Sequence, residues 1–353
     1  MIAQQVEIRP FIAEEATEEE WVALNKFRNL MLAERLPDDP QESVERSKAL
    51  LLVRPDYVEA TRWAGWHDAD EGGKEIVAYV VGVIHNTEDN KHLLFFNIEV
   101  LPQHRRKGIG TEMLNYVVEN ARKAERRLLV TQSFASILAG DEFLQQVGAK
   151  VGLESHVNQL DIADVDRDLL RRWQERAHER ASDFDLGLWV GPYPEEHIQE
   201  IVDLTKAMNL APRGDLEMDD FDITVDRLRQ LEEMMAKRGM ERWTMYVRHR
   251  PSNELAGYTY VWWMAEQPLM VNQEDTAVWP KYRNLGLGRW LKAAMLEKVM
   301  SERPQVKHVR TGNADTNAAM LNINNEMGFK PHLAEKVWQV ELDRVIEYVA
   351  SKS

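Results

Sequence analysis

The apolar residues of this chain change their spacing in the same order twice. Runs rich in β-branched and aromatic residues predict strands, and apolar residues three and four positions apart predict helices. In the first half, strands are predicted at 6–11, 74–84, 93–100, 127–133 and 150–161, with helices at 111–124 and before Gly148. In the second half, strands are predicted at 186–191, 253–263, 270–278, 307–313 and 331–342, with helices at 289–302 and before Gly328. The fold class is therefore α/β (α+β), built twice.

The repeat sets the expected domain boundaries. A charged stretch at 164–182 predicts a connecting helix between the halves. We expect an N-terminal domain at 1–162, a connecting helix at 163–184 and a C-terminal domain at 185–353. Each half has an ordinary domain size.

One motif recurs where each half passes from a strand to a helix. Residues 100–114 read VLPQHRRKGIGTEML and residues 278–292 read VWPKYRNLGLGRWLK. At one constant offset, an arginine and two glycines coincide: Arg105, Gly108 and Gly110 with Arg283, Gly286 and Gly288. A glycine loop that opens a helix presents free backbone N–H groups and the positive helix end to an anion. The motif therefore predicts two phosphate cradles.

Two common phosphate motifs are excluded. No Gly-Lys-Ser/Thr follows the glycines, so neither loop is a Walker A motif. A dinucleotide fingerprint needs a third glycine, and that position holds Met113 or Leu291. The alternative is that one loop or both are only tight strand-to-helix turns.

Composition narrows the class of protein. The 353 residues include no cysteine, so we expect no disulfides and no thiolate metal site. No apolar run approaches membrane length and no signal peptide is evident at the start, so a cytoplasmic location is expected. The net charge of −15 argues against nucleic acid. It favours cationic substrates such as amines, or serves only solubility.

The full string, a strand ending in Val-x-Pro followed by Arg-x-x-Gly-x-Gly, resembles motif A of the Gcn5-related N-acetyltransferases (GNAT superfamily). The resemblance covers both halves and is closest to tandem two-domain members. The segment TGNADTNAAMLNINNEMGF at 311–329 adds the family's closing signature, whose asparagines the first half lacks. The resemblance implies two GNAT domains, each a mixed, mostly antiparallel sheet flanked by helices and splayed between its fourth and fifth strands to admit acyl-coenzyme A.

Acetyl-CoA is accordingly the implied cofactor. In the first half, the resemblance assigns it Val100, Arg105, Arg106, Lys107, Gly108, Ile109, Gly110 and Thr111. In the second half it assigns Val278, Arg283, Asn284, Leu285, Gly286, Leu287, Gly288, Arg289, Asn313, Asn317 and Met320. The asparagines also fit the roles of helix caps and turn residues.

Transfer of an acetyl group to an amine needs a base. Glu99 stands on the fourth strand of the first half, whereas Ala277 takes its place in the second, with Glu274 and Asp275 slightly earlier. The alternative is that these carboxylates are solvated strand residues. The family's acid, a tyrosine before the Gly-Phe turn, is missing: the position holds Leu144 or Asn324, and we retain Asn324 as a catalytic candidate.

The acceptor site and partners are less defined. Pro212 and Gly214 interrupt a helical pattern, and the family's acceptor loop lies there, so Asn209, Arg213 and Asp215 are candidates, with a surface loop as the alternative. We expect a primary amine of a small molecule or peptide as substrate, no nucleic acid or membrane partner, and a monomer (an internal pseudo-dimer) or a homodimer. The histidines show no metal-ligand spacing, so no metal site is expected. His104, beside the first cradle, is interpreted as a solvated loop residue, with an ion pair to a phosphate as the alternative.

The leading hypothesis is an acetyl-CoA-dependent N-acetyltransferase. Its C-terminal half is favoured as catalytic because it has both the cradle and the asparagines. Catalysis in the N-terminal half, a non-catalytic acyl-CoA-binding or sensing module, and a scaffold that binds nothing remain the alternatives.

Overall fold

The computed structural model describes residues 6–69 and 72–352. Through the first half run β1 (Glu7–Pro10), α1 (Glu18–Arg35), α2 (Val44–Leu52), β2 (Val58–Asp68), β3 (Lys74–His85), β4 (Leu93–Val100), α3 (Ile109–Lys123), β5 (Leu128–Phe134), α4 (Leu138–Val147) and β6 (Lys150–Asp161). Then follow α5 (Arg167–Arg180), β7 (Phe184–Val190), α6 (Ile198–Thr205), α7 (Val225–Lys237), β8 (Met240–His249), β9 (Glu254–Met264), β10 (Met270–Val278), α8 (Leu287–Glu302), β11 (His308–Ala314), α9 (Ala318–Met327), β12 (Lys330–Glu341) and α10 (Leu342–Ala350).

The chain forms two compact units. Unit 1 gathers the described residues of 1–154, 214–219 and 335–353, and unit 2 gathers 155–213 and 220–334. The strand order is β1-β2-β3-β4-β5-β12 in unit 1 and β6-β11-β10-β9-β8-β7 in unit 2. Within each unit one neighbouring pair is parallel, β4 with β5 and β10 with β11, and the others are antiparallel. The predicted mixed, mostly antiparallel sheets are confirmed.

The closing strands are exchanged between the halves of the chain. The end of the chain, Glu335–Glu341 of β12, pairs with β5 of unit 1. The end of the first half, Ser155–Asp161 of β6, pairs with β11 of unit 2. The predicted boundaries 1–162, 163–184 and 185–353 describe where the sequence repeats. The compact units are divided at other positions, so these boundaries stay a prediction. A sequence repeat predicts the closing strands β6 and β12. It does not show which of them pairs with β5 and which pairs with β11.

Both faces of each sheet are covered, which explains the nearly continuous apolar runs of the central strands. In β3, Val77 and Tyr79 pack in the cluster formed with α1, while Ala78 and Val80 pack in the cluster with α3. In unit 2, α5 packs on α8 through Leu170, Trp173 and Ala177. The predicted connecting helix therefore forms part of unit 2 and is not an isolated linker.

The helices before the closing strands end as predicted. Gly148 and Gly328 are the C-caps of α4 and α9, with φ of 88° and 98°. Backbone in this left-handed region favours glycine, which is why both helices stop at that residue.

Candidate functional site

The two glycine loops have the same backbone. Gly108 and Gly286 are the N-caps of α3 and α8, with φ of 86° and 87°. No heavy atom lies within 4 Å of the position that a Cβ would take at either glycine, so open space faces both loops. The first N–H groups of a helix have no acceptor inside the helix. Each loop therefore presents free backbone donors to an open space, as an anion cradle requires.

Each sheet separates beside its cradle. Strands β4 and β5 pair only at Leu93–Phe95 with Leu128–Val130, although both continue beyond that pairing. In unit 2, β10 and β11 pair only at Met270–Asn272 with His308–Arg310. The carboxyl ends of the parallel strands thus part at the level where the glycine loop begins. This is the splay that the resemblance implies for both domains, and it is confirmed.

A cavity of about 300 Å³ occupies this opening in unit 1. Arg35, His104 and Phe143 line it beside the residues predicted from the sequence. Those predicted residues are Glu99, Val100, Arg105, Arg106, Gly108, Ile109, Gly110 and Thr111. Lys107 is exposed and is not among the lining residues. The first predicted cradle and the predicted base therefore share one cavity.

The corresponding cavity of unit 2 measures about 700 Å³. Its walls include Trp173 of α5, Met208 and Pro212. The predicted residues in its lining are Val278, Arg283, Asn284, Leu285, Gly286, Leu287, Gly288, Arg289, Asn317 and Met320. Neither Glu274 nor Asp275 lines it. Unit 2 thus brings its cradle residues together but leaves its candidate bases outside the cavity.

The arginines of the two glycine loops differ in their ion-pair partners. The Nε of Arg105 donates to the carbonyl of Val100 at 2.9 Å, and its Nη1 donates to Glu34 at 2.6 Å. The Nε of Arg283 likewise donates to the carbonyl of Val278 at 3.2 Å, but among the described residues it has no carboxylate partner. Arg105 therefore ties the loop to β4 and α1, whereas the charge of Arg283 is exposed beside its cradle. Arg289 differs again, because it pairs with Glu326 at 2.6 Å.

Glu99 has the environment of a base. Its side chain is partly buried and lies 3.8 Å from the guanidinium of Arg35. Burial raises the pKa of this carboxyl above its ordinary value, and the positive charges of Arg35 and Arg28 oppose that shift. A carboxylate with a raised pKa accepts a proton more readily near neutral pH.

The carboxylates of β10 are occupied by local partners. Glu274 is exposed and accepts a hydrogen bond from Trp262 Nε1 at 2.8 Å. Asp275 accepts one from the hydroxyl of Tyr258 at 3.0 Å, and burial raises the pKa of Asp275 to about 6. The strand register shifts between Gln273 and Thr276, where these two residues lie. Asp275 therefore bonds within the sheet and does not line the cavity.

Asn324 is buried against a lysine that the sequence analysis missed. Its Oδ1 accepts from Lys292 Nζ at 2.6 Å, and its Nδ2 donates to Asn313 Oδ1 at 2.6 Å. Lys292 is 1% exposed, and burial lowers the pKa of its ammonium to about 7. Neither Asn324 nor Asn313 lines the cavity. The signal for Lys292 was present in the sequence, because it occupies an apolar position of α8 equivalent to Leu114.

The remaining candidates shape loops. Asn317 caps α9 by accepting from the N–H of Met320 at 3.3 Å, and it also lines the cavity. Asn209 Oδ1 accepts from Arg213 at 3.0 Å, and Arg213 also pairs with Asp220 at 2.6 Å.

Asp215 belongs to unit 1, where its N–H donates to the carbonyl of Gly152 at 2.7 Å. Asn209 and Arg213 belong to unit 2, and neither lines its cavity. None of the three acceptor candidates lines either of the two cavities. The segment broken by Pro212 contributes instead Ala207, Met208, Leu210 and Ala211 to the lining of unit 2.

Comparisons with known proteins agree with this geometry. Residues 24–137 match the model of the Acetyltransferase (GNAT) family. A tandem GNAT protein from the clavulanic acid biosynthesis pathway is 22% identical, with a TM-score of 0.76 over 96% of this chain and 99% of that chain. A GCN5-related N-acetyltransferase from Sphaerobacter thermophilus is 13% identical, with a TM-score of 0.63 over 96% of each chain. No curated protein sequence matches the chain.

The match to the GNAT family model thus covers less than half of the chain. The family match lies in the first half, at residues 24–137. The structural likeness extends over both halves and gives the chain the tandem GNAT fold. Among the described residues, none of the helices combines the length and the apolar character needed to cross a bilayer.

Proposed function

We propose that this protein is an acetyl-CoA-dependent N-acetyltransferase acting on a primary amine of a small molecule or peptide. One observation carries the proposal: in unit 1 the glycine-loop amides and the carboxylate of Glu99 line the same cavity. A cradle for a pyrophosphate and a base within one opening are what direct acyl transfer to an amine requires.

The residues of unit 1 fit the coenzyme. The left-handed Gly108 leaves the approach to the first turn of α3 open, so the N–H groups of Ile109, Gly110 and Thr111 can bind a pyrophosphate. Beyond Phe95, β4 has no partner on the side of β5, so its backbone groups are available to an extended ligand. The coenzyme, when bound, supplies an activated acyl thioester.

Glu99 removes the proton that prevents an ammonium from attacking. A primary amine arrives protonated near neutral pH, and a partly buried carboxylate at the end of β4 both attracts it and accepts its proton. A free β4 backbone N–H is the donor for the developing oxyanion. Leu144 leaves no side-chain acid at the family's tyrosine position, so we expect the thiol to depart as a thiolate, which is tolerable at its ordinary pKa of about 8.5.

The placement of Glu99 supports unit 1 as the catalytic unit, although the asparagine signature favoured the C-terminal half. A second function, coenzyme binding without turnover, is favoured for unit 2. Its cradle lines the larger cavity, while Glu274 and Asp275 bind Trp262 and Tyr258 outside that cavity. We therefore propose one catalytic unit and one acyl-CoA-binding unit in the same chain.

The first test is calorimetric titration of acetyl-CoA into the full-length protein. Two sites at micromolar affinity support both cradles, and one site supports a single working unit. A panel of amino sugars, polyamines, peptides and aminoglycosides is then screened by thiol release. Binding without release on any amine favours the acyl-CoA-binding function, and no binding at all overturns both.

A further inference from the structure

Three side chains with metal-binding donors meet in unit 1 beside the glycine loop. His67 on β2 stands directly opposite Glu75 on β3 in the strand register. His104 ends the single 3₁₀ turn, Pro102–His104, that leads from β4 into the loop. One donor atom from each residue lies within 4.8 Å of the other two. His104 is only 8% exposed, so its interpretation as a solvated loop residue is wrong.

These donors do not satisfy one another. Among residues 6–69 and 72–352, no hydrogen bond joins the three side chains, and the buried Nδ1 of His67 has no hydrogen-bond partner. The imidazole rings meet at a centroid distance of 5.0 Å and an angle of 71°. Lys26 lies 3.7 Å from Glu75 on an exposed side, and Lys107 is the other cation near His104. A buried polar nitrogen normally has a partner, so the Nδ1 of His67 is available to a ligand.

Unit 2 has a corresponding cluster in which tyrosine replaces the histidine of the 3₁₀ turn. In that cluster the side chains form hydrogen bonds with one another. His249 stands opposite Glu254 in the register of β8 and β9, and Tyr282 ends the 3₁₀ turn where unit 1 has His104. The hydroxyl of Tyr282 lies 2.9 Å from Glu254 Oε2 and 3.3 Å from His249 Nδ1. Lys281 also pairs with Glu254 at 2.6 Å. In unit 2 the phenol hydroxyl thus satisfies the histidine and the glutamate by hydrogen bonds, and the corresponding cluster of unit 1 has no such group.

We propose that His67, Glu75 and His104 bind one divalent transition-metal ion of the zinc type. Two imidazole nitrogens and one carboxylate oxygen form a donor set that Zn²⁺ accepts, with a fourth position left for water. Bond lengths near 2.1 Å at tetrahedral angles put ligand atoms about 3.4 Å apart, so side-chain rotation has to close the present separations. Arg105 of the glycine loop directly follows His104, so the ion would fasten the cradle to β2 and β3.

The test uses Zn²⁺ alone, with untagged full-length protein and without coenzyme. Competition against a chromophoric chelator gives the affinity, and elemental analysis after gel filtration gives the stoichiometry. The decisive variant is His104→Tyr, because unit 2 shows that tyrosine is accommodated at this turn. His249→Gln is the matched control, since it removes a histidine from the corresponding cluster of unit 2.

We expect one Zn²⁺ per chain in the wild type and in His249→Gln. In His104→Tyr we expect at least about tenfold weaker binding, as loss of a ligand exceeds the effect of losing a supporting residue. Thermal melting of metal-free His104→Tyr checks its fold, and Glu75→Gln repeats the test with a smaller change. Wild-type binding no tighter than that of His104→Tyr, or equal loss in His249→Gln, would overturn the proposal.

Discussion

The two units share their backbone and differ in the side chains placed on it. The N-cap glycines agree within 1° in φ, and both sheets part after three residues of parallel pairing. Unit 1 has a carboxylate, Glu99, in its cavity, where unit 2 has Ala277. Where unit 1 packs Leu114 and Leu144 in its core, unit 2 buries Lys292 against Asn324. The main-chain geometry is thus repeated in the two units, whereas the side chains placed on it differ.

The loops show the same contrast. In unit 1, Arg105 is bound to Glu34 and leaves the cradle to backbone N–H groups. In unit 2, Arg283 has no carboxylate partner among the described residues, so its charge remains available to an anion. The same arginine of the motif therefore has different partners in the two units.

The largest expected effect is on turnover. Glu99→Gln keeps the shape of the side chain but removes the base, so the rate of thiol release should fall about 10²- to 10⁴-fold with little change in acetyl-CoA affinity. Burial raises the pKa of Glu99, and the base acts only when deprotonated. The wild-type rate should therefore fall with decreasing pH through a pKa above the ordinary carboxyl value.

Asp275→Asn is the control for this prediction, and it should change the rate less than about twofold. A normal rate for Glu99→Gln together with a large loss for Asp275→Asn would move catalysis to unit 2. The pair of variants therefore tests the assignment of roles as well as the identity of the base.

The glycine loops offer a matched pair of binding variants. Gly108→Glu and Gly286→Glu each place a side chain and a negative charge in an open cradle, on backbone with positive φ. Each should weaken its own coenzyme site by at least about 100-fold, near 3 kcal/mol, and leave the other site intact. Calorimetric stoichiometry measures this outcome.

Gly108→Ala and Gly286→Ala are the controls, because they add the strain of a left-handed backbone, roughly 1–2 kcal/mol, without the charge. Unchanged stoichiometry in a folded glutamate variant would show that its loop is only a turn.

The next largest expected effect is on the stability of unit 2, whose core contains the buried Lys292. Burial lowers the pKa of Lys292 to about 7 from an ordinary 10.5. The stability that its neutral form provides is present above about 10.5 and is lost as the pH falls through 7. Replacing Lys292 and Asn324 together by leucine reproduces the apolar pair of unit 1. This change should raise the free energy of unfolding at pH 6 by about 2–4 kcal/mol.

Urea unfolding at pH 6 and pH 9 measures the gain, which should be larger at pH 6. Lys292→Leu alone is the control, since it leaves Asn324 buried with one partner fewer. A double variant that is less stable at both values would mean that Lys292 is a structural donor whose hydrogen bond outweighs its burial.

Local signals predicted five of the six strands in each half, missing β2 and β8, and they marked the two glycine loops. Runs of β-branched and aromatic residues located β3 and β9, and Gly108 and Gly286 marked backbone that only glycine readily adopts. The exchange of β6 and β12 left no such signal, because equivalent strands of a repeat fit either copy.

The residues of the candidate site also differ in whether a local signal in the sequence predicts them. Motif spacing assigned the loop residues, but the cluster at His104 joins three segments distant in the chain, so spacing alone could not find it. The environments of Asp275 and Asn324 depend on Tyr258 and Lys292, which lie on other elements.

The smallest expected effect separates structure from catalysis in unit 2. Burial raises the pKa of Asp275 from 3.8 to about 6, so its stabilising contribution is complete below about 3.8 and is lost as the pH rises through 6. Asp275→Asn keeps an oxygen for the hydroxyl of Tyr258 and removes the charge. It should raise the free energy of unfolding by about 1–3 kcal/mol at pH 8 and change it little at pH 4. If the variant is instead less stable than the wild type at pH 8, a favourable contact stabilises the ionised carboxylate. Asp275 would then be ionised at neutral pH and would again be a candidate base.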